Sequence, residues 1–457
     1  MLHTATSGSG NLEGCVQSRL ECIMNTIMRC KHCSRTLKKL KCSAYAVDTA
    51  GRHLSSKTED FQEGNPLLKY LTMKIKATGP ITVAEYMREV LTNPLKGYYM
   101  HQDMLGEHGD FVTSPEISQI FGELIGIWCI SEWISGGKPK SLNLVELGPG
   151  RGSLMSDILR VFSQFQHLLD KCDTSIHLVE VSPKLSEVQA LNLTGKNIDT
   201  KPEDSSLVYK KGTTKSGLPI NWYYGIQDVP PGYAFYIAHE FFDALPIHKL
   251  QKTKDGWREI LIDVDPEISH KLRFVLGSSN SLVAKTFLQD SEKRTHVEVC
   301  PDAAVIVQKL ASRIKSYGGA ALIADYGHTG SKEDTFRGFR THQLHEVLVD
   351  PGSADLTADV DFNFLKRMIG NEVISLGPIT QHDFLRNMGI DLRLKILLEH
   401  ARDAATQQHL IKSYDVLMNP NKMGERFKFF SLFPHDRLES PKDKQYPIAG
   451  FTELQMR

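Results

Sequence analysis

The stretch that decides the fold prediction is LNLVELGPGRG, residues 142–152. Its first half, Leu142–Leu147, is a short apolar run of the kind that forms a buried strand. Its second half is a G-x-G-x-G turn made by Gly148, Gly150 and Gly152, and an amphipathic helix follows. Glycines let the backbone turn sharply where a strand enters a helix. The stretch therefore predicts one strand–turn–helix unit of a parallel sheet.

The same alternation of strands and helices continues along the chain. Further segments of this type are the strands Ile176–Val181, Tyr233–Ala238 and Ala320–Asp325 and the helices 153–169 and 302–316. A last strand, Phe427–Leu432, follows a long helical segment, and we expect it to add an antiparallel edge to the sheet. The pattern predicts a doubly wound α/β fold with helices on both faces of the sheet.

The prediction divides the chain into four parts. They are a leader over 1–60, an N-terminal helical segment over 66–140, an α/β domain over 141–435 and a tail over 436–457. Within the domain, residues 247–276 are predicted to be a β-hairpin insertion with Asp255-Gly256 as its turn. Residues 381–425 are predicted to be a helical insertion.

Three helices are predicted in the N-terminal segment. Two lie within residues 67–92 and are separated by Gly79-Pro80, which breaks the helical spacing of apolar residues. Thr82 is the predicted cap of the second helix. The third is an apolar helix over 116–134.

The leader differs in composition from the rest of the chain. Residues 24–56 contain seven basic residues and one acid, and five of the eight cysteines fall within residues 1–42. A basic, acid-poor leader without a continuous apolar segment is typical of a mitochondrial transit peptide rather than a secretory signal. Cys30 and Cys33 could form half of a zinc site. No second CxxC pair has a plausible spacing, so no metal site is predicted.

The charge balance argues against one broad class of function. The chain has 457 residues, of which 54 are Lys or Arg and 54 are Asp or Glu, so its formal net charge is zero. A protein that binds nucleic acid by neutralising phosphates needs a clear excess of basic residues, so no nucleic-acid partner is predicted. No apolar run approaches the roughly 18 residues that span a membrane. A hydrophobic content of 41% is ordinary for a globular protein with a sizeable core.

The glycine turn is also the strongest candidate for a binding site, because the helix that follows it offers free N–H groups at its N-terminus. Glu146 precedes the turn. A carboxylate there would repel a pyrophosphate, but it suits a ligand with a cationic centre, such as S-adenosylmethionine. Ser153 stands where a dinucleotide fingerprint has a glycine, which disfavours an NAD-dependent dehydrogenase. The cofactor-binding candidates here are Glu146, Gly148, Gly150 and Gly152, and a tight turn without a ligand is the alternative.

Acidic residues follow two further predicted strands. Glu180 ends the second strand, where a carboxylate can accept hydrogen bonds from ribose hydroxyls. Glu240 and Asp243 follow the third strand, within the string His239–Pro246, and could grip a planar cation by paired charge-assisted hydrogen bonds. The alternatives are a solvated strand-end carboxylate for Glu180 and favourable acids at a helix N-terminus for the pair.

Two more strings are candidates for the same cleft. Gly109–Glu116 is a turn in which Ser114 is placed to cap the following helix and Glu116 lies in the first turn. We assign Ser114 and Glu116 to the cofactor site, and Glu116 is also a third candidate acid beside the acceptor. Capping explains both residues equally well. The string Asp325–His328 ends the fourth strand and could line the cleft.

Together, four of these strings resemble the motifs of the MidA-like family of class I methyltransferases. They are Leu144–Gly152, His239–Pro246, Gly109–Glu116 and Asp325–Gly327. The resemblance runs from about residue 66 to the C-terminus. It implies a seven-stranded, Rossmann-like sheet and S-adenosylmethionine as the cofactor. His239 departs from the pattern, because bacterial relatives tend to carry Asn at this position.

The branch of the family that the chain most resembles implies a mitochondrial enzyme. Its members would form symmetric dimethylarginine on a core subunit of respiratory complex I in the matrix, as a step needed for assembly of that complex. Glu240 and Asp243 are assigned as the catalytic acids on the mechanistic argument above. The alternative is a non-enzymatic assembly chaperone with a vestigial cofactor pocket. The joint presence of Glu146, Glu180, Glu240 and Asp243 counts against that alternative.

Overall fold

The computed structural model describes residues 65–101, 113–198, 207–268, 270–439 and 448–452. The predicted leader over 1–60 lies outside these ranges. So do the first residues of the string Gly109–Glu116 and most of the predicted tail.

Helices account for much of the described chain. In order they are α1 (Pro66–Thr78), α2 (Val83–Thr92), α3 (Tyr98–His101), α4 (Ser114–Ile117), α5 (Gln119–Ser135), α6 (Ser153–Gln164), α7 (Gln166–Leu169), α8 (Pro183–Thr194), α9 (Leu282–Phe287), α10 (Pro301–Tyr317), α11 (Phe362–Ile369), α12 (Gln381–Asn387), α13 (Ile390–His400), α14 (Ala404–Met418) and α15 (Asp436–Glu439). Among these described helices, none has both the length and the hydrophobicity that a membrane crossing needs.

The described residues contain 17 strands, which form three sheets. In order they are β1 (Ile81–Thr82), β2 (Ser141–Leu147), β3 (Asp173–Val179), β4 (Lys210–Thr213), β5 (Pro219–Tyr223), β6 (Ala234–His239), β7 (His248–Thr253), β8 (Gly256–Val264), β9 (Leu272–Asn280), β10 (His296–Val299), β11 (Gly319–His328), β12 (Arg337–Arg340), β13 (Gln343–His345), β14 (Asp355–Thr357), β15 (Val360–Asp361), β16 (Ile374–Thr380) and β17 (Phe427–Phe433).

The main sheet confirms the predicted doubly wound fold. Its strand order is β16-β17-β11-β6-β2-β3-β5-β4, and the short β15 pairs with the end of β11. Strands β2, β3, β5, β6 and β11 are parallel. Strand β17 is antiparallel to β11 and β16 is antiparallel to β17. Without β4 and β15, seven strands remain, and they are the seven-stranded sheet that the family resemblance implies.

The prediction was wrong about which strand forms the edge of this sheet. Phe427–Phe433 does pair antiparallel to β11, but it lies inside the sheet, because β16 covers its other side. Strand β16 contains Gly377-Pro378, and its register shifts between Leu376 and Ile379. Proline cannot donate a ladder hydrogen bond and usually argues against a strand, so the local sequence did not mark this edge.

The predicted hairpin insertion is part of a larger sheet. Strands β7 and β8 pair as predicted, although the turn residues are Lys254 and Asp255, one position before the predicted Asp255-Gly256. Strands β9 and β10 extend the insertion to Val299, beyond the predicted end at residue 276, and β1 of the N-terminal segment pairs with β8. This five-stranded sheet therefore joins the N-terminal segment to the α/β domain.

The helices of the N-terminal segment begin and end at recognisable signals. The Asn65 side chain accepts hydrogen bonds from the backbone N–H of Leu67 and Leu68 at the start of α1. The Thr82 hydroxyl accepts from Glu85 N at 3.0 Å and caps α2, as predicted. The helix predicted over 116–134 is divided, because α4 ends before Ser118 and the Ser118 side chain caps α5. Two helices also replace the single one predicted over 153–169.

The two faces of the sheet build two separate cores. Along β6, Phe235 and Ile237 pack with Trp128 of α5 and the helices around it. The intervening residues Tyr236 and Ala238 pack on the opposite face, against the helices α10 and α11. Because side chains alternate along a strand, apolar residues in succession mark a strand that is buried on both faces.

Helix α5 also carries two buried glutamates that hold later parts of the chain. Glu123 Oε2 accepts from Arg393 Nε of α13 at 2.9 Å. Glu132 Oε2 accepts from Arg437 Nε of α15 at 3.0 Å, and its other oxygen accepts from Ala449 N. Both glutamate side chains are only 2% exposed. These ion pairs therefore fix the helical insertion and the C-terminal segment against the sheet.

We expect Arg437→Met to lower the free energy of unfolding by about 3–5 kcal/mol, because Glu132 would be left buried without its cation. Adding Glu132→Gln should recover most of this loss, since the charge is removed while an acceptor for Ala449 N remains. Denaturant unfolding of both variants measures the effect. The matched control is Lys315→Met, which removes an ion pair between side chains that are more than half exposed. An equal effect at both positions would contradict the prediction.

Candidate functional site

A cavity of about 1250 Å³ lies at the carboxyl edge of the main sheet. The segments that follow β2, β3 and β6 supply its walls, including Gly148, Glu180 and Glu240. The carboxyl edge is where open α/β sheets bind their ligands. The structure therefore brings the predicted glycine turn and the predicted acids together in one place.

The glycine turn has the conformation that its sequence requires. Gly148, Gly150 and Gly152 have φ angles of 61°, 54° and 79°, which favour glycine. A Cβ atom at Gly148 would lie 2.8 Å from the ring of Phe241. Gly148 and Gly150 line the cavity, whereas Gly152 is the N-cap of α6 and faces Leu193. The turn thus keeps its backbone open to the cavity.

Glu146 is the carboxylate directly before this turn. Its side chain is buried in the cavity wall, and Oε2 has no hydrogen-bond partner in the described part of the chain. Burial raises its pKa to about 8. A buried carboxylate with a spare oxygen is the group that a cationic ligand atom would stabilise.

Gln189 links Glu180 to the glycine turn by hydrogen bonds, and the sequence did not mark Gln189 as a candidate. The Glu180 oxygens accept from Ser182 N at 2.7 Å and from Gln189 Nε2 at 3.0 Å. The same Gln189 nitrogen donates to Gly150 O, and Trp222 Nε1 donates to the Gln189 side-chain oxygen. Burial raises the pKa of Glu180 to about 7, although its hydrogen bonds oppose this. No local pattern marks Gln189, which occupies an ordinary position of α8.

The loop after β6 is held in place by Asp325, which lies within the neighbouring strand β11. Asp325 Oδ2 accepts from the backbone N–H of Phe241, Phe242 and Asp243 at 2.9–3.3 Å, and Oδ1 accepts from Tyr326 N. Glu240, which begins this loop, has a φ of 50°, an uncommon value for a residue other than glycine. Within the string Asp325–His328, Tyr326 lines the cavity. Asp325 does not line it, but its side chain binds the loop that does.

The two predicted catalytic acids both line the cavity. Glu240 Oε1 has no hydrogen-bond partner among the described residues. Burial, followed by the nearby Asp243 charge, raises the pKa of Glu240 well above its usual range. Asp243 Oδ2 accepts from the Thr357 hydroxyl at 2.9 Å, and burial raises the Asp243 pKa to about 6. The pair is close enough that the two charges influence each other, as gripping a single cation requires.

The segment Thr113–Glu116 differs from the prediction in one respect. Thr113, not Ser114, is the N-cap of α4, and Thr113 N donates to Glu116 Oε2 at 3.4 Å. Ser114 is one position too late to cap, because its own backbone already has helical conformation. Ser114 is fully buried and its backbone N–H hydrogen-bonds to Glu240. Glu116 lines the cavity 3.8 Å from Arg151 Nε.

Part of the cavity wall is formed by residues that the sequence did not mark as candidates. Tyr99 of α3 donates from its hydroxyl to Asp355 Oδ1 at 2.6 Å. Arg337 Nη1 lies 2.6 Å from Asp359 Oδ1. All four residues line the cavity, and two of them belong to the small sheet β12–β14. No motif or periodicity marks these positions, because they meet only after distant segments pack together.

The residues at the glycine turn fit S-adenosylmethionine. Its ammonium group suits the unpartnered oxygen of Glu146, and its ribose hydroxyls suit Glu180. The turn itself leaves backbone exposed beside these acids, and a side chain at Gly148 would meet Phe241. The glycine turn and both acids therefore lie in the wall of the same cavity.

Comparison with solved structures supports the fold. A structure from Burkholderia thailandensis, solved with bound S-adenosyl-homocysteine, superposes with a TM-score of 0.67 and 21% identity. The match covers 84% of this chain and 93% of the bacterial one. At this level of identity, the similarity speaks for the fold alone.

Comparison with known sequences gives the family. The chain is similar to a protein from Xenopus laevis named "Protein arginine methyltransferase NDUFAF7, mitochondrial", with 68% identity over 421 residues. This match covers 91% of the chain and 96% of the Xenopus protein. The chain is 59% identical to the human protein of the same name, with 88% and 94% covered. A family model described as "Putative S-adenosyl-L-methionine-dependent methyltransferase" matches residues 124–379, more than half of the chain. The chain therefore belongs to this family of methyltransferases, whose cofactor is S-adenosylmethionine.

Proposed function

We propose that this protein is an arginine methyltransferase of the mitochondrial matrix, which forms symmetric dimethylarginine on a core subunit of respiratory complex I. The relatives named above support the arginine acceptor and the mitochondrial location. The family resemblance noted from the sequence motifs supports the symmetric product, the matrix and the complex I subunit.

One observation carries the proposal: four acids that line the cavity lie close together, since the charges of Asp243, Glu116 and Asp355 all act on Glu240. Glu240 and Asp243 line the cavity together with Glu116 and Asp355, and Glu240 keeps one oxygen free of hydrogen bonds within the described structure. A guanidinium is a planar cation whose N–H groups pair with carboxylates in a fixed geometry. This cluster of acids is therefore suited to an arginine side chain.

Glu146, the backbone around Gly148 and Gly150, and Glu180 would hold the cofactor. When bound, S-adenosylmethionine supplies a methyl group activated by a sulfonium. Glu240 and Asp243 would hold the acceptor in line with that group, and such positioning supplies a large part of the rate.

The acids must also make the acceptor reactive. An arginine has a pKa above about 12, so its nitrogens carry protons and are poor nucleophiles. Glu240 and Asp243 would fix the plane of the guanidinium, draw its charge away from the attacking nitrogen and accept the released proton. Thr357 orients Asp243 for this task, and the Asp325 contacts to the loop keep both acids in place.

The decisive experiment is transfer of a radiolabelled methyl group in a mitochondrial lysate, followed by mass spectrometry of the labelled protein. We expect symmetric dimethylarginine on a complex I core subunit. Asymmetric dimethylarginine would contradict the proposed product. A protein that binds S-adenosylmethionine but labels nothing would instead be an assembly chaperone.

The first prediction from this proposal concerns the glycine turn. Gly148→Val should weaken S-adenosylmethionine binding at least tenfold, because the new side chain meets the Phe241 ring and a β-branched residue disfavours a φ of 61°. Calorimetry measures the affinity. Gly137→Val is the matched control, since Gly137 also has a positive φ but a Cβ atom there meets nothing within 4 Å. Binding of NAD without binding of S-adenosylmethionine would refute the cofactor site.

The second prediction separates the acceptor site from the cofactor site. Glu240→Gln or Asp243→Asn should leave the affinity for S-adenosylmethionine nearly unchanged, while methyl transfer falls on the order of a hundredfold or more. Cofactor binding and arginine methylation are measured on the same variants. If affinity and activity fall together, the two acids belong to the cofactor site instead.

The third prediction follows from the pKa of Glu146, which burial raises to about 8. Between pH 5.5 and 7 this carboxyl is protonated in the free protein, and an ammonium beside it favours the ionised form. Cofactor binding should then expel a proton, so affinity rises with pH across this window. Calorimetry in buffers of different ionisation enthalpy counts the protons. Glu146→Gln should release about one proton fewer than the wild type, and an unchanged count would refute the assignment.

A further inference from the structure

His239 is the last residue of β6 and lines the cavity directly before Glu240. Its Nε2 atom lies 3.6 Å from Glu240 Oε1, and neither atom has a hydrogen-bond partner within the described residues. The two side chains are 6% and 15% exposed. An imidazole nitrogen and a carboxyl oxygen that are both buried and unpaired are costly, so the pair calls for an explanation.

The surroundings hold both groups at this separation. The imidazole ring stacks on Phe427 at 5.8 Å between centroids and meets the edge of Phe121 at 5.0 Å. The backbone of His239 pairs with Ala324 in the sheet, and Glu240 N donates to Ala324 O at 3.0 Å. The backbone therefore places the two residues side by side at the end of β6, and the two rings hold the imidazole in position.

We propose that His239 is a positioning residue that takes the proton of Glu240, so that Glu240 meets the cationic acceptor as a carboxylate. The inference rests on the proposed function, because it requires a guanidinium as the acceptor. It goes further by assigning a role to a side chain that does not itself contact the reacting atoms.

The charges around the pair favour this transfer only when a cation is present. Burial lowers the pKa of His239 to about 3. Burial raises the pKa of Glu240, and the nearby charges of Asp243, Glu116 and Asp355 raise it further. The Glu240 charge in turn raises the pKa values of Asp325 and Tyr326. In the resting protein the shared proton therefore stays on Glu240. An arriving guanidinium that contacts Glu240 stabilises its carboxylate, and this carboxylate, 3.6 Å from the imidazole, stabilises the imidazolium.

The proton balance closes over one turnover. When the acceptor binds, the Glu240 proton moves to His239 Nε2. As the new N–C bond forms, the attacking nitrogen releases a proton to the Glu240 carboxylate. His239 then returns its proton to water in the cavity that it lines, which restores the neutral imidazole and the protonated carboxyl. One proton leaves per methyl group transferred, as the overall reaction requires.

The protonation state of His239 can be observed directly. We would record the ¹⁵N resonance of His239 Nε2 in the full chain, loaded with S-adenosyl-homocysteine, while N-acetyl-arginine amide is added. The resonance should move towards the imidazolium value in the wild type and stay at the neutral value in Glu240→Gln. A resonance that does not move in the wild type overturns the inference.

Kinetics provide the second readout. His239→Asn keeps a polar side chain but cannot take the proton, so kcat at pH 7 should fall at least about tenfold, with cofactor affinity within about twofold. Its kcat should recover as pH rises from 6 to 9, because solvent can then remove the Glu240 proton. A pH profile parallel to that of the wild type overturns the inference, since a purely structural defect would give that result.

His177→Asn is the matched control for loss of a buried histidine. His177 lies within β3 and is paired through its Nδ1 with the Tyr223 hydroxyl at 3.0 Å. This variant should retain the kcat and pH profile of the wild type. The experiment also separates the two proposals: a wild type that methylates no arginine refutes the proposed function, whereas an active wild type with a neutral His239 refutes only the role of His239.

Discussion

The site depends on the carboxylate of Asp325. Asp325 lies completely buried within β11, and its side chain accepts hydrogen bonds from the backbone N–H groups of three successive residues, Phe241–Asp243, and from that of Tyr326. These four hydrogen bonds compensate for burying the polar oxygens of Asp325 and fix a loop that begins with Glu240 in a strained conformation. Without this clamp, the acids of the cavity would have no defined position relative to the glycine turn.

A second constraint brings distant parts of the chain to the same cavity. The buried glutamates of α5 bind Arg393 and Arg437, and these pairs hold the helical insertion and the C-terminal segment on one face of the sheet. Elsewhere in the cavity wall, a hydrogen bond from the Tyr99 hydroxyl to Asp355 joins α3 to the small sheet. Buried ion pairs add little net stability, but breaking one is costly, so they specify how the segments pack.

Several buried polar atoms of the described chain lack a hydrogen-bond partner, and three of them lie together at the site. Glu146 Oε2, Glu240 Oε1 and His239 Nε2 are buried in the cavity wall and have no hydrogen-bond partner within the described chain. Each lowers the stability of the free protein. A cationic cofactor and a cationic acceptor would each restore part of this loss on binding. Stability and function are therefore in conflict at these three positions, as is common at functional sites.

The sequence alone determined the local parts of this protein: the strand that enters a glycine turn, the acids after the strands, and the alternation that makes a doubly wound sheet. These features follow from backbone conformation and side-chain periodicity over a few residues, so Gly148, Glu146 and Glu240 could be found without a structure. The tertiary structure alone decided the outer strand β16, the Gln189 bridge, the Asp325 clamp and the pairing of Thr357 with Asp243. The last two contacts join residues 82 to 114 positions apart, and no local pattern encodes which distant segments will meet.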